Sequence, residues 1–208
     1  MSRDGETGEH PVASRVSEPQ PPRYLARPGR AWTTADLIAR SGSDLRYELA
    51  RGEMLAMTPT NPLHGMYSSR IVHALRQHVA GHDLGEVFTA EAGFELHPEP
   101  EATVRAPDVS FIRKERMPIP PPETGFWPIA PDLVVEVISP TDSAQELQLE
   151  VDDYLAAGVR IVWLIYPKTR SAMEFRGSQA RRLAATDTLD GGEVVPGLSL
   201  SIASLFAY

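Results

Sequence analysis

The chain of 208 residues has no cysteine, and Lys114 and Lys168 are its only lysines. Without cysteine it has no disulfide framework and no thiolate metal site. No apolar run reaches the length of a membrane span, and the N-terminus lacks the apolar core of a signal peptide. The net charge of −8 argues against a broadly nucleic-acid-coating surface, which is normally basic, although a local basic groove stays open. We therefore expect a cytoplasmic protein that does not contact a membrane.

The chain divides into a tail and one domain. Residues 1–28 are rich in Pro, Ser, Gly, Glu and Arg without periodicity, which is typical of a disordered N-terminal tail. The remainder, 29–208, has enough apolar residues for a single core. Its patterns predict a hairpin around Arg51-Gly52, helices near 61–80 and 143–157, and strands at 85–96 and 104–112.

The order of these elements predicts the fold class. The helix near 143–157 lies between two apolar stretches, “PDLVVEVIS” and “VRIVWLIYP”. A strand, helix and strand of this length form a βαβ unit. We predict an α/β fold, with a mixed central sheet flanked by helices and an N-terminal hairpin.

Glu136 is the unexpected residue of the first of these strands, which is otherwise a near-continuous run of Leu, Val and Ile. Such a run indicates a strand buried on both faces, where an unpaired charge would cost roughly several kcal/mol. Asp132 shares its face, but four residues of strand place it roughly 13 Å away. Glu136 therefore needs a partner from another strand.

Asp108 is the candidate partner, at the start of a second apolar strand in “RAPDVSFI”. If the two strands are neighbours, both carboxylates can face one point and bind Mg²⁺, which prefers oxygen ligands and keeps several waters. Such an ion can polarise a phosphodiester and activate a water. Two simpler roles stay open: a pairing of Glu136 with an arginine, and a turn cap formed by Asp108 after Pro107.

Several motifs carry a family resemblance, and they occur in the order “YELARGEM”, “PTNPLHG”, “RAPDVSFI”, “PDLVVEVISPTD”, “DDYLAAGVRIVWLIYP” and “VVPGLSLSIASLF”. Over about residues 32–206 the chain resembles the Uma-two family of restriction-endonuclease-like proteins, within the PD-(D/E)XK nuclease superfamily. The resemblance implies a restriction-endonuclease-like core and a Mg²⁺ (or Mn²⁺) ion held by Asp108 and Glu136. It further implies DNA as the substrate and pairing into a homodimer.

Glu150 departs from that family pattern. The position two residues after Glu136, where the superfamily often has lysine, is Ile138. In this family the lysine is usually displaced to the following helix, four residues before the tyrosine that is Tyr154 here, and that position is Glu150. We assign Glu150 to the catalytic set with Asp108 and Glu136. It could bind a metal itself, or the site could have lost catalysis.

Further residues match family positions or could contact substrate. Glu53 and His64 are candidate accessory residues of the site. An exposed strand or turn position is the simpler explanation of Glu53, and a capping or packing role is the alternative for His64. Arg113, Lys114 and Arg116 form a short basic cluster that could contact a nucleic-acid backbone. Glu48 is a further acidic position of the hairpin.

Two main hypotheses of function follow. The first is a Mg²⁺-dependent endonuclease that hydrolyses DNA phosphodiester bonds. The second is a catalytically inactive nuclease-fold relative, with Glu150 in place of the lysine, that binds nucleic acid or protein. A third is a dimerisation module built on the hairpin and the apolar C-terminus.

Overall fold

A computed structural model describes residues 24–25, 27, 29–57, 60–117, 119–140 and 142–207. The predicted tail, 1–28, lies mostly outside these residues. Within it, Tyr24–Leu25 form a short strand that pairs antiparallel with Met54 and Leu55 of the hairpin. These two residues are therefore part of the fold, and the rest of the predicted tail stays a prediction.

Thirteen strands and four α-helices make up the described part of the chain. In chain order they are β1 (Tyr24–Leu25), α1 (Thr34–Ile38), β2 (Arg46–Ala50), β3 (Glu53–Met57), α2 (Pro62–His82), β4 (Gly85–Thr89), β5 (Phe94–His97), β6 (Thr103–Arg105), β7 (Val109–Arg113), β8 (Leu133–Val137), α3 (Ala144–Ala156), β9 (Ile161–Tyr166), β10 (Ser171–Arg176), β11 (Gln179–Leu183), β12 (Thr188–Asp190), β13 (Ser199–Ser201) and α4 (Ile202–Leu205).

The central sheet has six strands in the order β11-β10-β9-β8-β7-β4. Strands β8 and β9 are parallel and are joined through α3, whereas every other neighbouring pair in this sheet is antiparallel. A parallel pair needs a long crossover, and the helix supplies it. The predicted α/β fold with a mixed sheet is confirmed.

Helices cover the two faces of this sheet. The α2 residues Ile71, Leu75 and Val79 recur at fourth-residue spacing and pack against a core that includes Phe111 and Val135. On the opposite face, α3 residues such as Tyr154 pack against a core that includes Val134 and Val162. Because successive residues of β8 point to opposite faces, its continuous apolar run is explained by burial on both sides.

A second, five-stranded sheet has the order β1-β3-β2-β6-β5 and carries the predicted hairpin. Its two-residue loop, Arg51-Gly52, has φ of 52° and 76°. Positive φ at both central residues is the requirement of the tight turn whose twist matches a hairpin. A Cβ on Gly52 would also lie 2.8 Å from the Cβ of Ala31, so glycine is required there on steric grounds too.

The strands predicted at 85–96 and 104–112 are each divided between the two sheets. The first becomes β4 in the central sheet and β5 in the second sheet, and the other becomes β6 in the second sheet and β7 in the central sheet. The break between β6 and β7 falls at Ala106-Pro107, where proline cannot donate to a ladder. The chain thus crosses between sheets immediately before Asp108, and the cleft described below opens at that crossing.

In the described part of the chain, no helix combines the length and the apolar character that crossing a membrane requires.

Candidate active site

Asp108 and Glu136 lie side by side. Val109 pairs with Val135 and Ser110 with Val134 in the antiparallel register of β7 and β8, so Asp108, just before β7, stands opposite Glu136. The backbone N–H of Asp108 donates to Oε2 of Glu136 over 3.3 Å, and the N–H of Val137 donates to Oδ2 of Asp108 over 2.8 Å. The two carboxylates are therefore brought together and oriented by the backbone at one end of this strand pair.

Both side chains open into a cleft of about 730 Å³ between β2, the start of α2 and α3. Its lining is strongly acidic, because it includes eight carboxylates: Asp44, Glu48, Glu91, Asp108, Glu136, Asp142, Glu146 and Glu150. The basic or titratable nitrogen side chains of that lining are Arg46 and His64. Such a surplus of carboxylates attracts cations.

Tyr154 is the side-chain partner that Glu136 needs. The fully buried phenol of Tyr154 donates to Oε1 of Glu136 over 2.6 Å. Burial, together with the nearby Glu136 charge, raises the pKa of Tyr154 well above its ordinary value, so the phenol stays a donor. The half-buried glutamate is thus held by a hydroxyl and a backbone N–H rather than by an arginine.

The carboxyl of Glu136 is crowded by negative charge. Burial, followed by the charges of Glu150 and Asp108, raises its pKa well above the ordinary value, and the hydrogen bond from Tyr154 opposes the rise only in part. Two neighbouring carboxylates that repel each other, such as those of Asp108 and Glu136, are stabilised when a cation binds between them.

His64 fixes the outer side of Asp108. Its Nε2 lies 2.9 Å from Oδ2 of Asp108, and its backbone N–H donates to the side chain of Asn61, the N-cap of α2. Burial lowers the pKa of His64, but the hydrogen bond and charge of Asp108 outweigh burial and leave that pKa raised. The cap of α2 is therefore Asn61 rather than His64, and it holds the backbone of the residue whose imidazole contacts Asp108.

Glu150 lies on the α3 wall of the same cleft. Its Oε1 is 3.5 Å from the oxygen of the Tyr154 hydroxyl and 3.9 Å from Nη1 of Arg105. The residue at the position of the family lysine thus faces an arginine from β6. Burial opposes the positive charge of Arg105, but Glu150 and Glu48 outweigh it, and the pKa of Arg105 is raised well above its ordinary value.

Arg105 is the centre of a buried ionic network that sequence reasoning missed. Its Nη1 lies 3.1 Å from Oε2 of Glu48 and its Nη2 lies 2.8 Å from Oδ2 of Asp153, and all three residues are almost fully buried. Arg51 binds the other oxygen of Asp153 over 2.7 Å. One signal was visible in the sequence: Asp153 stands three residues after Glu150, a spacing that places the two side chains on the same face of a helix.

Glu53 lies apart from the cleft. It is exposed at the start of β3 and is not among the residues that line the cleft, whereas Glu48 of the same hairpin lines it.

The basic cluster lies at the other end of β7 and has partners within the chain. Arg113 and Arg116 both contact the buried Asp132, at 3.3 Å and 2.9 Å, and Lys114 pairs with Asp83. A nucleic-acid contact there stays a prediction.

The donor set fits a small divalent ion. Within the described ranges, no group of three or more His, Cys, Asp or Glu residues is arranged to hold a metal. Mg²⁺ does not need such a cage, because it is bound through one or two carboxylates while waters and substrate phosphates complete its coordination. Asp108 and Glu136, adjacent on a cleft wall, supply those carboxylates.

The comparisons with known proteins place this fold among nuclease-like α/β folds. The chain is similar to a solved structure titled as a “putative nuclease belonging to DUF820” from Anabaena variabilis, with a TM-score of 0.72 and 21% identity over 84% of this chain and 97% of that one. The Uma2 family model, described as “Putative restriction endonuclease”, matches residues 32–203. The chain belongs to the Uma2 family, as its motifs predicted. None of the curated proteins matches it.

Proposed function

We propose that the protein is a divalent-metal-dependent endonuclease that hydrolyses DNA phosphodiester bonds. One observation carries the proposal: Asp108 and Glu136 meet from neighbouring strands on the wall of a cleft of about 730 Å³. Membership of a family described as “Putative restriction endonuclease” supports the reaction class.

Asp108 and Glu136 are the residues that would hold Mg²⁺ or Mn²⁺. A bound divalent ion supplies Lewis-acid chemistry, since it polarises a phosphoryl oxygen and lowers the pKa of a water. The chain supplies orientation: the N–H of Val137 and the ring of His64 hold Asp108, and the Tyr154 hydroxyl holds Glu136. Fixed ligands of this kind lower the cost of reorganisation during reaction.

Glu150 completes the catalytic set in this proposal. It adds a further carboxylate to the wall that carries Tyr154, and Arg105 lies close enough to offset part of its charge. The arginine next to Glu150 thus comes from β6 rather than from α3.

The test is calorimetric titration of Mg²⁺ and Mn²⁺ into the wild type and Asp108→Asn. Asp152→Asn is the matched control, since it makes the same change at an exposed position of α3. We expect Asp108→Asn to abolish binding and the control to retain it. Equal binding by the wild type and Asp108→Asn would refute the assignment of the ion to this pair.

Cleavage tests the reaction itself. We expect the wild type to nick or linearise supercoiled plasmid DNA in Mn²⁺ or Mg²⁺, and Asp108→Asn to leave it intact. A wild type that binds the ion yet cleaves neither single- nor double-stranded DNA would refute the proposed activity.

The homodimer and the cytoplasmic location stay predictions. Sedimentation velocity over a concentration series tests the first, and a monomer at every concentration would contradict it. Fractionation of the native host tests the second.

A further inference from the structure

The charge of the cleft raises a problem for a polyanionic substrate. Eight carboxylates line the cleft, against one arginine and one histidine. Duplex DNA carries about one negative charge per 1.7 Å of its axis. An ion between Asp108 and Glu136 would offset charge at the scissile phosphate only. The backbone away from that phosphate therefore needs cations outside the acidic wall.

A second concavity, of about 300 Å³, adjoins the cleft and has a different lining. The two lie next to each other, because they share six lining residues, among them Arg46, Glu48 and Glu91 at their common rim. Beyond that rim the second concavity adds Arg40 and a short polar run, 41–43, of two serines and a glycine. Beyond the shared rim, the lining therefore includes an arginine and hydroxyl groups next to the acidic lining of the cleft.

Arg40 lies in this concavity with its guanidinium against two aromatic rings. Its guanidinium lies over the ring of Trp32, 4.5 Å from the centroid, and 5.9 Å from the centroid of Tyr47. No carboxylate of the described residues forms an ion pair with it. Stacking occupies the face of a guanidinium and leaves its N–H edge uncovered by the ring, and that edge is the one that binds phosphate.

Arg46 stands at the rim between the two concavities. Its side chain is 48% exposed, and its ion pair with Glu91 spans 3.5 Å to a partner that is itself 83% exposed. Such an exposed pair contributes little and is easily exchanged. Its second contact, to the carbonyl of Ala90, anchors the guanidinium at the rim. Arg46 can therefore bind a phosphate with little loss.

We infer that Arg46 and Arg40 form a binding track for the DNA phosphate backbone, leading from the acidic cleft along β2 and α1. The inference rests on the proposed function and extends it by naming the surface that carries the strand. It differs from the basic cluster at the far end of β7, whose three side chains are engaged by Asp132 and Asp83.

The salt dependence of DNA binding tests this track. Fluorescein-labelled duplex DNA would be titrated with protein in the presence of Ca²⁺, by anisotropy over a range of NaCl concentrations, with a gel to confirm that the DNA stays intact. The variants are Arg40→Gln, Arg46→Gln and the double variant. Arg182→Gln is the matched control, because Arg182 is exposed on β11, the edge strand of the central sheet.

The slope of log K against log salt is negative, and each phosphate contact that is removed lowers its magnitude by roughly 0.9 on duplex DNA. We therefore expect each single variant to lose about that much, the double variant to lose about twice as much, and Arg182→Gln to match the wild type. Arg40→Lys should retain most of the slope, since it keeps the charge and loses only the fork and the stacking.

Equal slopes for the wild type and the double variant would overturn the track, as would an equal fall with Arg182→Gln or a wild type that binds no DNA. Failure of the proposed activity looks different. DNA that is bound through both arginines but never cleaved refutes the activity and leaves the track standing. Cleavage with an unchanged slope refutes the track alone.

Discussion

Replacing Arg105 with methionine should be among the most destabilising single changes near the cleft. The residue is 4% exposed and binds Glu48 and Asp153, which are each 3% exposed. Methionine fills much of the same space. Among the described residues it leaves Glu48 with the N–H of Ala106 as its partner, while Asp153 keeps Arg51. Breaking a buried ion pair costs about 3–5 kcal/mol. Because Asp153 retains a partner, we expect about 3 kcal/mol.

Urea unfolding followed by tryptophan fluorescence measures this loss. With a slope of about 2 kcal/mol/M, the midpoint should fall by about 1.5 M. The control is the same substitution at Arg76, which pairs with Glu86. The two side chains are 60% and 45% exposed, respectively, so the loss of this pair should cost at most about 1 kcal/mol.

A double-mutant cycle separates the pair from the packing. Glu48→Gln removes the charge that Arg105→Met leaves buried, so the double variant should lose less free energy of unfolding than the sum of the singles, by about 1–3 kcal/mol. Additive losses, or a cost for Arg105→Met no larger than that at Arg76, would refute the view that this network is a buried and mutually dependent set of charges.

Two further predictions concern hydrogen bonds to buried carboxylates. Tyr154→Phe removes the donor to Glu136 and should lower the free energy of unfolding by about 1–2 kcal/mol in urea; an unchanged midpoint would contradict the role of that hydroxyl. Burial raises the pKa of Glu174, but hydrogen bonds from Arg176 and Trp163 outweigh it and the pKa is lowered from 4.5. Its contribution to stability is therefore present above the unfolded pKa and is lost as pH falls through the folded pKa. The stability difference between wild type and Glu174→Gln should shrink on acidification, as measured by urea midpoints at several pH values; a constant difference would contradict this.

Local patterns explain why much of the fold was predictable. The spacing of Ile71, Leu75 and Val79 indicated α2 because an apolar stripe recurs on one side of a helix. The apolar run around Glu136 indicated a strand buried on both faces, and the structure has β8 between two cores. The turn at Arg51-Gly52 and the helix between the parallel strands were predictable because a glycine between two short strands and an apolar stripe are also local patterns.

The change of sheet at Pro107 was not predictable from these patterns. A proline indicates a break in the hydrogen-bond ladder of a strand, but it does not indicate which sheet the residues on either side will join. Residues 104–112 read as one strand, whereas Arg105 ends a strand of the second sheet and Val109 begins one of the central sheet. That assignment depends on pairing with strands distant in sequence.

The sequence by itself determined which residues could carry chemistry: a carboxylate inside an apolar strand, another at the start of a second strand, and a glutamate where the family has lysine. Tertiary structure decided their partners. Glu136 is bonded to Tyr154 from α3, and Arg105 to Asp153, which is 48 residues away along the chain. Any buried charge needs a partner, and the sequence shows that need. Which side chain becomes the partner depends on the packing of α3 against both sheets.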